Sequence, residues 1–81
     1  MTANSKPAVL LTGACGYIGG VTLRAMAAVP DAYERIVALD IREPTEDRRH
    51  AGVEYRTGDV RDKELADILS ERGITTVVHL A

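Results

Sequence analysis

The chain has 81 residues, of which 46% are apolar and 27% charged, with a formal net charge of −2. That length supports one small core rather than two domains. The composition is that of a folded chain, not a disordered one, and the slightly acidic balance gives no bulk attraction for nucleic acid. A single cysteine, Cys15, excludes an internal disulfide framework, and with no Phe or Trp and only three Tyr, aromatic platforms for stacked bases are not expected.

Residues 1–7 read as a flexible polar tail. The run Ala8-Val9-Leu10-Leu11-Thr12 lacks polar alternation, as expected of a strand buried on both faces of a parallel sheet. It is too short for a signal-peptide core or a membrane span, so the cytoplasm is the expected compartment, with no membrane partner. Gly13-Ala14-Cys15-Gly16 breaks the strand. A helix is expected next, with Ile18, Val21, Ala25 and Val29 as its apolar face, ending at Pro30-Asp31. Residues 35–40 form a second buried strand, Ile36-Val37-Ala38-Leu39, closing on Asp40.

Residues 41–52 are charged and carry Pro44; they read as a surface connection with one helical turn over 46–50. In the third strand, 53–57, Val53 and Tyr55 alternate with Glu54 and Arg56. A turn at 58–62 leads to a helix over 63–71, with Asp62 as its N-cap, Leu65, Ile68 and Leu69 as its apolar face, and Gly73 as a left-handed C-terminal cap. Residues 75–81 form a fourth, apolar strand. The alternation predicts an α/β fold with a parallel sheet. Right-handed crossovers set its strand order as 3-2-1-4, with a helix on each face.

The segment Thr12-Gly13-Ala14-Cys15-Gly16-Tyr17-Ile18-Gly19 lies between a buried strand and a helix. A pyrophosphate needs a tight turn, a bare backbone and a helix N-terminus aimed at the anion. Gly13 suits the turn, Gly16 the bare approach, and Gly19 close packing of the helix on the strand. The first-turn N–H groups of Tyr17 and Ile18 would face the phosphates. The spacing is G-x-x-G-x-x-G, with Ala14 where the commoner dinucleotide pattern has glycine. No Gly-Lys-Ser/Thr follows, so this is not a phosphate-transfer loop. About 20 residues beyond the loop, Asp40 stands where an acid meets the adenosine ribose hydroxyls. Ile41 and Arg42 complete that part of the expected site. A carboxylate there repels a 2′-phosphate and favours NAD, while Arg42 keeps NADP as the second choice.

In these motifs the chain resembles the extended short-chain dehydrogenase/reductase family, also called the NAD-dependent epimerase/dehydratase family. Four segments carry the likeness: TGACGYIG from Thr12 to Gly19, Val37-Ala38-Leu39-Asp40, Gly58-Asp59-Val60-Arg61-Asp62, and Val77-Val78-His79-Leu80-Ala81. The resemblance implies a partial Rossmann-type sheet over 8–81, about the first quarter of a family member. It implies that Asp59 and Val60 meet the adenine and that Leu80 and Ala81 line the cofactor beneath the pyrophosphate. The family's chemistry uses Tyr-x-x-x-Lys, yet Tyr17, Tyr33 and Tyr55 are followed four residues later by Val21, Val37 and Asp59. No catalytic residue is therefore expected in this chain. The resemblance implies a parent acting as an epimerase, dehydratase or dehydrogenase on a nucleotide sugar or related alcohol.

His50 and His79 have no partners at metal-ligand spacing. His50 is expected to be solvated and His79 to be hydrogen-bonded in its strand. Cys15 lies near a helix N-terminus, which can lower a thiol pKa, but space-filling beside the glycines is the preferred reading. Two other functions remain open at this level: a non-catalytic NAD-sensing module, and an assembly piece whose strand 75–81 offers an unpaired edge to a second copy. Half a doubly wound domain is expected to be marginally stable and prone to associate through that edge.

Overall fold

The computed structural model describes residues 6–59, 61 and 63–80. Its elements in chain order are β1 (Ala8–Thr12), α1 (Tyr17–Ala27), a short 3-10 turn (Pro30–Ala32), β2 (Arg35–Asp40), a second 3-10 turn (Glu46–Arg48), β3 (Val53–Thr57), α2 (Glu64–Glu71) and β4 (Thr76–His79). The four strands form one parallel sheet in the order β3-β2-β1-β4. No polar residue interrupts β1 before Thr12 because both of its faces are covered, and all five of its residues are buried.

Each sheet face has its own core. On one, Leu23 and Met26 of α1 pack with Val9, Leu11, Ala14, Ile36 and Ala38, and Tyr33, Val53 and Tyr55 close the margin. On the other, Ile68 of α2 packs with Leu10, Val37 and Leu39, flanked by Leu65, Leu69 and Ile74. Burying side chains of this size contributes about 1.5–3 kcal/mol each. The helix α2 ends as its sequence predicts. Gly73 has φ +60°, its N–H donates to Ser70 O, and Ile74 N–H reaches back to Leu69 O at 3.1 Å. This paired closure satisfies the last carbonyls and folds Ile74 onto the core. At its start α2 begins at Glu64, one residue later than expected, with Lys63 at the N-cap and no side-chain cap bond; the expected cap, Asp62, lies outside the described residues.

The expected face of α1 is corrected. Ile18 and Val21 are 58% and 46% exposed, Val29 is 54% exposed, and Ala25 is exposed as well. The buried residues are Gly19, Leu23 and Met26. This helix carries apolar residues almost all round, so periodicity admits two stripes. The stripe holding Gly19 faces inward because only a glycine lets the helix approach so closely. A Cβ at Gly19 would stand 2.0 Å from Gly13 O and 3.0 Å from Ala14 Cα. The helix thus presses on the backbone of the glycine loop more than on the strand.

The fourth strand is shorter than the predicted 75–81 and mostly exposed, with burial only at Val78. It is an edge strand bonded to β1 alone. Both its ends are nonetheless fastened to β1. Thr75 N–H donates to Ala8 O at 2.8 Å, while Leu80 N–H donates to Thr12 O at 3.1 Å. Between those ends, Thr12 Oγ1 and His79 Nδ1 share a 2.6 Å hydrogen bond. His79 therefore has the hydrogen-bonded place expected of it, although it is exposed. No helix among the described residues is long and apolar enough to cross a membrane.

Candidate functional site

The C-terminal ends of β1, β2 and β3 meet at the last two residues of β2. Leu39 O accepts N–H bonds from Gly13 (3.0 Å) and Ala14 (3.3 Å), and Asp40 O accepts from Gly58 (2.9 Å). The Asp40 carboxylate accepts from Cys15 N–H at 2.9 Å through Oδ2 and from Arg42 N–H at 2.9 Å through Oδ1. Two adjacent residues thereby fix the loops that leave three strands. Arg42 Nε stands 3.8 Å from Asp40 Oδ1, with the Asp40 side chain only 9% exposed.

The three loop glycines have different physical reasons. Gly13 has φ +75°, a left-handed turn that side chains disfavour. Gly19 is required by the close helix contact. Gly16 is required by neither: it is extended, with φ −74°, and a Cβ there would meet only Gly13 O, at 3.4 Å. What its missing side chain leaves open is the groove itself. Gly16 also precedes the first turn of α1. N–H groups there have no partner within a helix, and the positive end of the helix dipole points outward.

The groove has a volume of about 480 Å³ and is lined by Gly13, Gly16, Leu39, Asp40, Ile41, Arg42, Gly58, Asp59 and Leu80. It gathers seven of the residues singled out from sequence: Gly13, Gly16, Asp40, Ile41, Arg42, Asp59 and Leu80. Tyr17, Ile18 and Gly19 do not line it; the first two have exposed side chains, and Gly19 is turned into the loop. Val60 and Ala81 lie outside the described residues. Leu39 and Gly58 were missed. Leu39 is the last apolar residue before Asp40, and Gly58 opens the Gly-Asp-Val segment, so position in the motif carried a signal for both.

Asp59 is held by its neighbour. Arg61 Nη2 donates to Asp59 Oδ2 at 2.7 Å and Arg61 Nε to Oδ1 at 3.1 Å, and Arg61 N–H also donates to Oδ1 at 2.9 Å. These bonds from the Arg61 side chain and backbone pull the carboxyl down to about 2, so it is ionised through the physiological range. Asp59 thus braces its turn and faces the groove at once. Cys15 behaves as the space-filling reading expects, not as an activated thiol. Its thiol pKa is raised, first by burial and then by the Asp40 charge, and Sγ–H donates to Arg42 O at 3.3 Å. Helix-terminus activation does not prevail there. His50 is half-buried rather than solvated, and its N–H donates to the Tyr55 hydroxyl at 2.6 Å. Among the described residues no group of three or more His, Cys, Asp or Glu side chains gathers as a metal site.

A parallel sheet in this order, with a glycine turn and helix N-terminus after β1 and an acid at the end of β2, defines a Rossmann-type nucleotide-binding architecture. The profile of the NAD dependent epimerase/dehydratase family matches residues 9–81, and the chain belongs to that family. It is 35% identical over 79 residues to a UDP-glucose 4-epimerase of Halalkalibacterium halodurans, covering 91% of this chain and 22% of that protein. It is also 35% identical over 75 residues to an uncharacterized protein of Mycobacterium tuberculosis, covering 90% of this chain and 20% of the relative. The chain thus spans about a fifth of these curated relatives. Among solved structures, dTDP-glucose 4,6-dehydratase from Bacillus anthracis, in complex with NAD, superposes with a TM-score of 0.78 at 22% identity over 93% of this chain and 26% of that one. The holo form of a GalE-like L-threonine dehydrogenase from Cupriavidus necator gives 0.73 at 31% identity, over 93% and 23%.

Proposed function

We propose that this chain is the NAD-holding portion of a larger epimerase, dehydratase or dehydrogenase acting on a nucleotide sugar or related alcohol. One observation carries the reading: a single groove unites the glycine loop, the β2 acid and the β3 acid at the C-terminal ends of their strands, where such sheets bind ligands. The substrate class follows from what the relatives are named for, a UDP-sugar epimerase and a dTDP-sugar dehydratase beside a threonine dehydrogenase. Bound NAD supplies a hydride acceptor. The residues of this chain would bind and orient it: Gly16 would admit the pyrophosphate, the first turn of α1 with the N–H groups of Tyr17 and Ile18 would face its charge, and Gly13 and Gly19 hold the loop in shape. Asp40 would accept from the ribose hydroxyls, with Ile41 and Arg42 beside it, and Asp59 would meet the adenine, joined by Val60, which the family resemblance adds from outside the described residues. Leu80 lines the groove and would form its floor; Ala81, which the resemblance adds to it, lies outside the described residues. No tyrosine here is followed by lysine at the spacing the chemistry uses, so proton transfer belongs to other parts of the parent and the 81-residue chain alone is inactive. Its lone half-buried thiol suits a reducing compartment such as the cytoplasm.

Titration calorimetry with NAD and with NADP tests this reading, using a Gly16→Val variant as the blocked groove. The fold tolerates a Cβ at Gly16, so this variant should keep its circular dichroism and lose binding. NAD preferred over NADP by the parent chain, and abolished in the variant, is the expected result. Equal NAD affinity in the two proteins would sink the assignment. The free edge of β4, with Val77 51% exposed, favours one further reading, pairing with a second copy of this chain along that edge. A clean monomer by light scattering at about ten micromolar or above would refute it.

A further inference from the structure

A second cleft, about 450 Å³, borders the glycine loop at Ala14 and Cys15 and lies between α1 and the connection from β2 to β3, sharing no lining residue with the groove. It exists because that connection holds only the three-residue turn Glu46–Arg48, too short to cover the sheet beside α1. The half-buried ring of Tyr55 is left beneath it, its hydroxyl fixed by His50 N–H. Val21, Pro44 and Tyr55 give the cleft apolar walls, while Arg24 and Arg48 stand on its rim. Those two guanidiniums differ from the chain's other arginines. Arg35 bonds Arg72 O; Arg42, Arg49, Arg56, Arg61 and Arg72 pair with carboxylates. Among the described residues Arg24 and Arg48 have no side-chain hydrogen bond and no ion pair within 4 Å, although Arg48 lies close enough to Asp47 to help lower its carboxyl pKa, and the two share one cleft. The single carboxylate on the same lining, Asp47, leaves the rim net positive.

We propose that this cleft is a second ligand site, separate from the dinucleotide groove, for a compact aromatic anion. The Arg49 guanidinium already lies over the Tyr55 ring, 5.3 Å from its centroid, so the flat body would lie against Pro44 and Val21 with Tyr55 at its margin, and its phosphate or carboxylate would take the Arg24 and Arg48 guanidiniums. Planar forks of this kind match such groups bidentately, and the cleft volume is in the range of small-molecule sites.

The test is a titration of the isotope-labelled chain with phenyl phosphate, followed by amide chemical shifts, with phenol and inorganic phosphate titrated separately. Shifts should concentrate at Val21, Arg24, Arg48, His50 and Tyr55. Each half-ligand should bind at least about 10-fold more weakly than phenyl phosphate. Arg24→Gln and Arg48→Gln, both at exposed positions, should each weaken it about 10-fold, equivalent to about 1.4 kcal/mol. The proposal is overturned if the shifts fall instead at Gly13, Gly58 and Leu80, if both variants bind like the parent, or if inorganic phosphate binds as well as phenyl phosphate. A spectrum without the dispersion of a packed chain also overturns it, since the cleft requires α1 docked on the sheet.

Discussion

Replacing Gly19 by alanine should be far more damaging than the same change at Gly20, one residue away in the same helix. A Cβ at Gly19 would lie 2.0 Å from Gly13 O and 2.9 Å from Gly13 C, whereas at Gly20 it would meet nothing within 4 Å. Ordinary carbon–oxygen contact lies more than about 1 Å beyond the Gly19 value, and the opposing atoms are backbone. They are themselves fixed, because Gly13 N–H is bonded to Leu39 O and Gly13 O accepts from Gly16 N–H. Neither side can yield without breaking the loop or lifting Leu23 and Met26 from their core. Overpacking of this severity costs roughly 3 kcal/mol or more, a fall in Tm of roughly 12 °C or more for a domain of this size. Gly20→Ala should be neutral or should stabilise by up to about 1 kcal/mol through helix propensity. Urea and thermal unfolding followed by circular dichroism measure both. Gly19→Ala as stable as the parent, or no less stable than Gly20→Ala, would refute the close-contact account of the loop.

The Asp59–Arg61 pair predicts an acid-side loss of stability. The Asp59 carboxyl sits at about 2 in the fold against an ordinary 3.8, so its contribution is complete above about pH 4 and fades as pH falls toward 2. Arg61→Gln should flatten that part of a urea-unfolding series, and an unchanged acid limb would contradict the pairing. Cys15 has its thiol raised by burial, so any stability linked to the protonated thiol is present below its ordinary 9.0 and lost as pH climbs past it. Its alkylation near pH 8 should be slower than that of a free cysteine and should accelerate in urea; fast alkylation of the folded chain would contradict this. Thr12, 1% exposed, should lose about 1 kcal/mol on change to valine through the lost His79 bond, read from the urea midpoint. Because His79 is exposed and regains water, a loss above about 3 kcal/mol would mean that the bond is not the main contribution at Thr12.

β1 and β2 were legible because burial on two faces demands uninterrupted apolar runs, and turn residues bound them. Pro7 and Gly13 frame β1, and Asp40 closes β2. The cap of α2 at Gly73 was legible for the same local reason, a single backbone geometry that glycine supplies most easily. The inward face of α1 was not legible. Seven of its residues, Tyr17, Ile18, Val21, Leu23, Ala25, Met26 and Ala27, are apolar, so the 3.6-residue period supports two stripes. The choice between them rests on a contact between Gly19 and the loop it follows. The groove was legible through its motif positions. The cleft beside α1 was not, since it arises from how far the β2–β3 connection stands off the sheet.

Asp40 carries a consequence that its motif position alone does not suggest. An acid at this place is expected to select NAD by accepting from the ribose, so removing it should relax the preference toward NADP. Here both carboxylate oxygens already accept backbone N–H groups, from Cys15 and from Arg42. A carboxylate has about four lone-pair sites, so these bonds leave room for ribose hydroxyls, and one side chain can shape the phosphate loop and read the sugar together. Asp40→Ala leaves two N–H groups without their acceptor: that of Arg42 is exposed and regains water, while that of Cys15 is part-buried and costs about 1 kcal/mol. It also unties Cys15 from the end of β2. Asp40→Asn fares little better, because its amide NH2 would meet a donor where an oxygen now accepts. Both variants are therefore expected to lose NAD affinity without gaining NADP affinity, even with Arg42 adjacent. Calorimetry with the two dinucleotides decides the matter. A variant at Asp40 that binds NADP more tightly than the parent does would mean the tether to Cys15 is dispensable, and that the acid acts on the ribose alone.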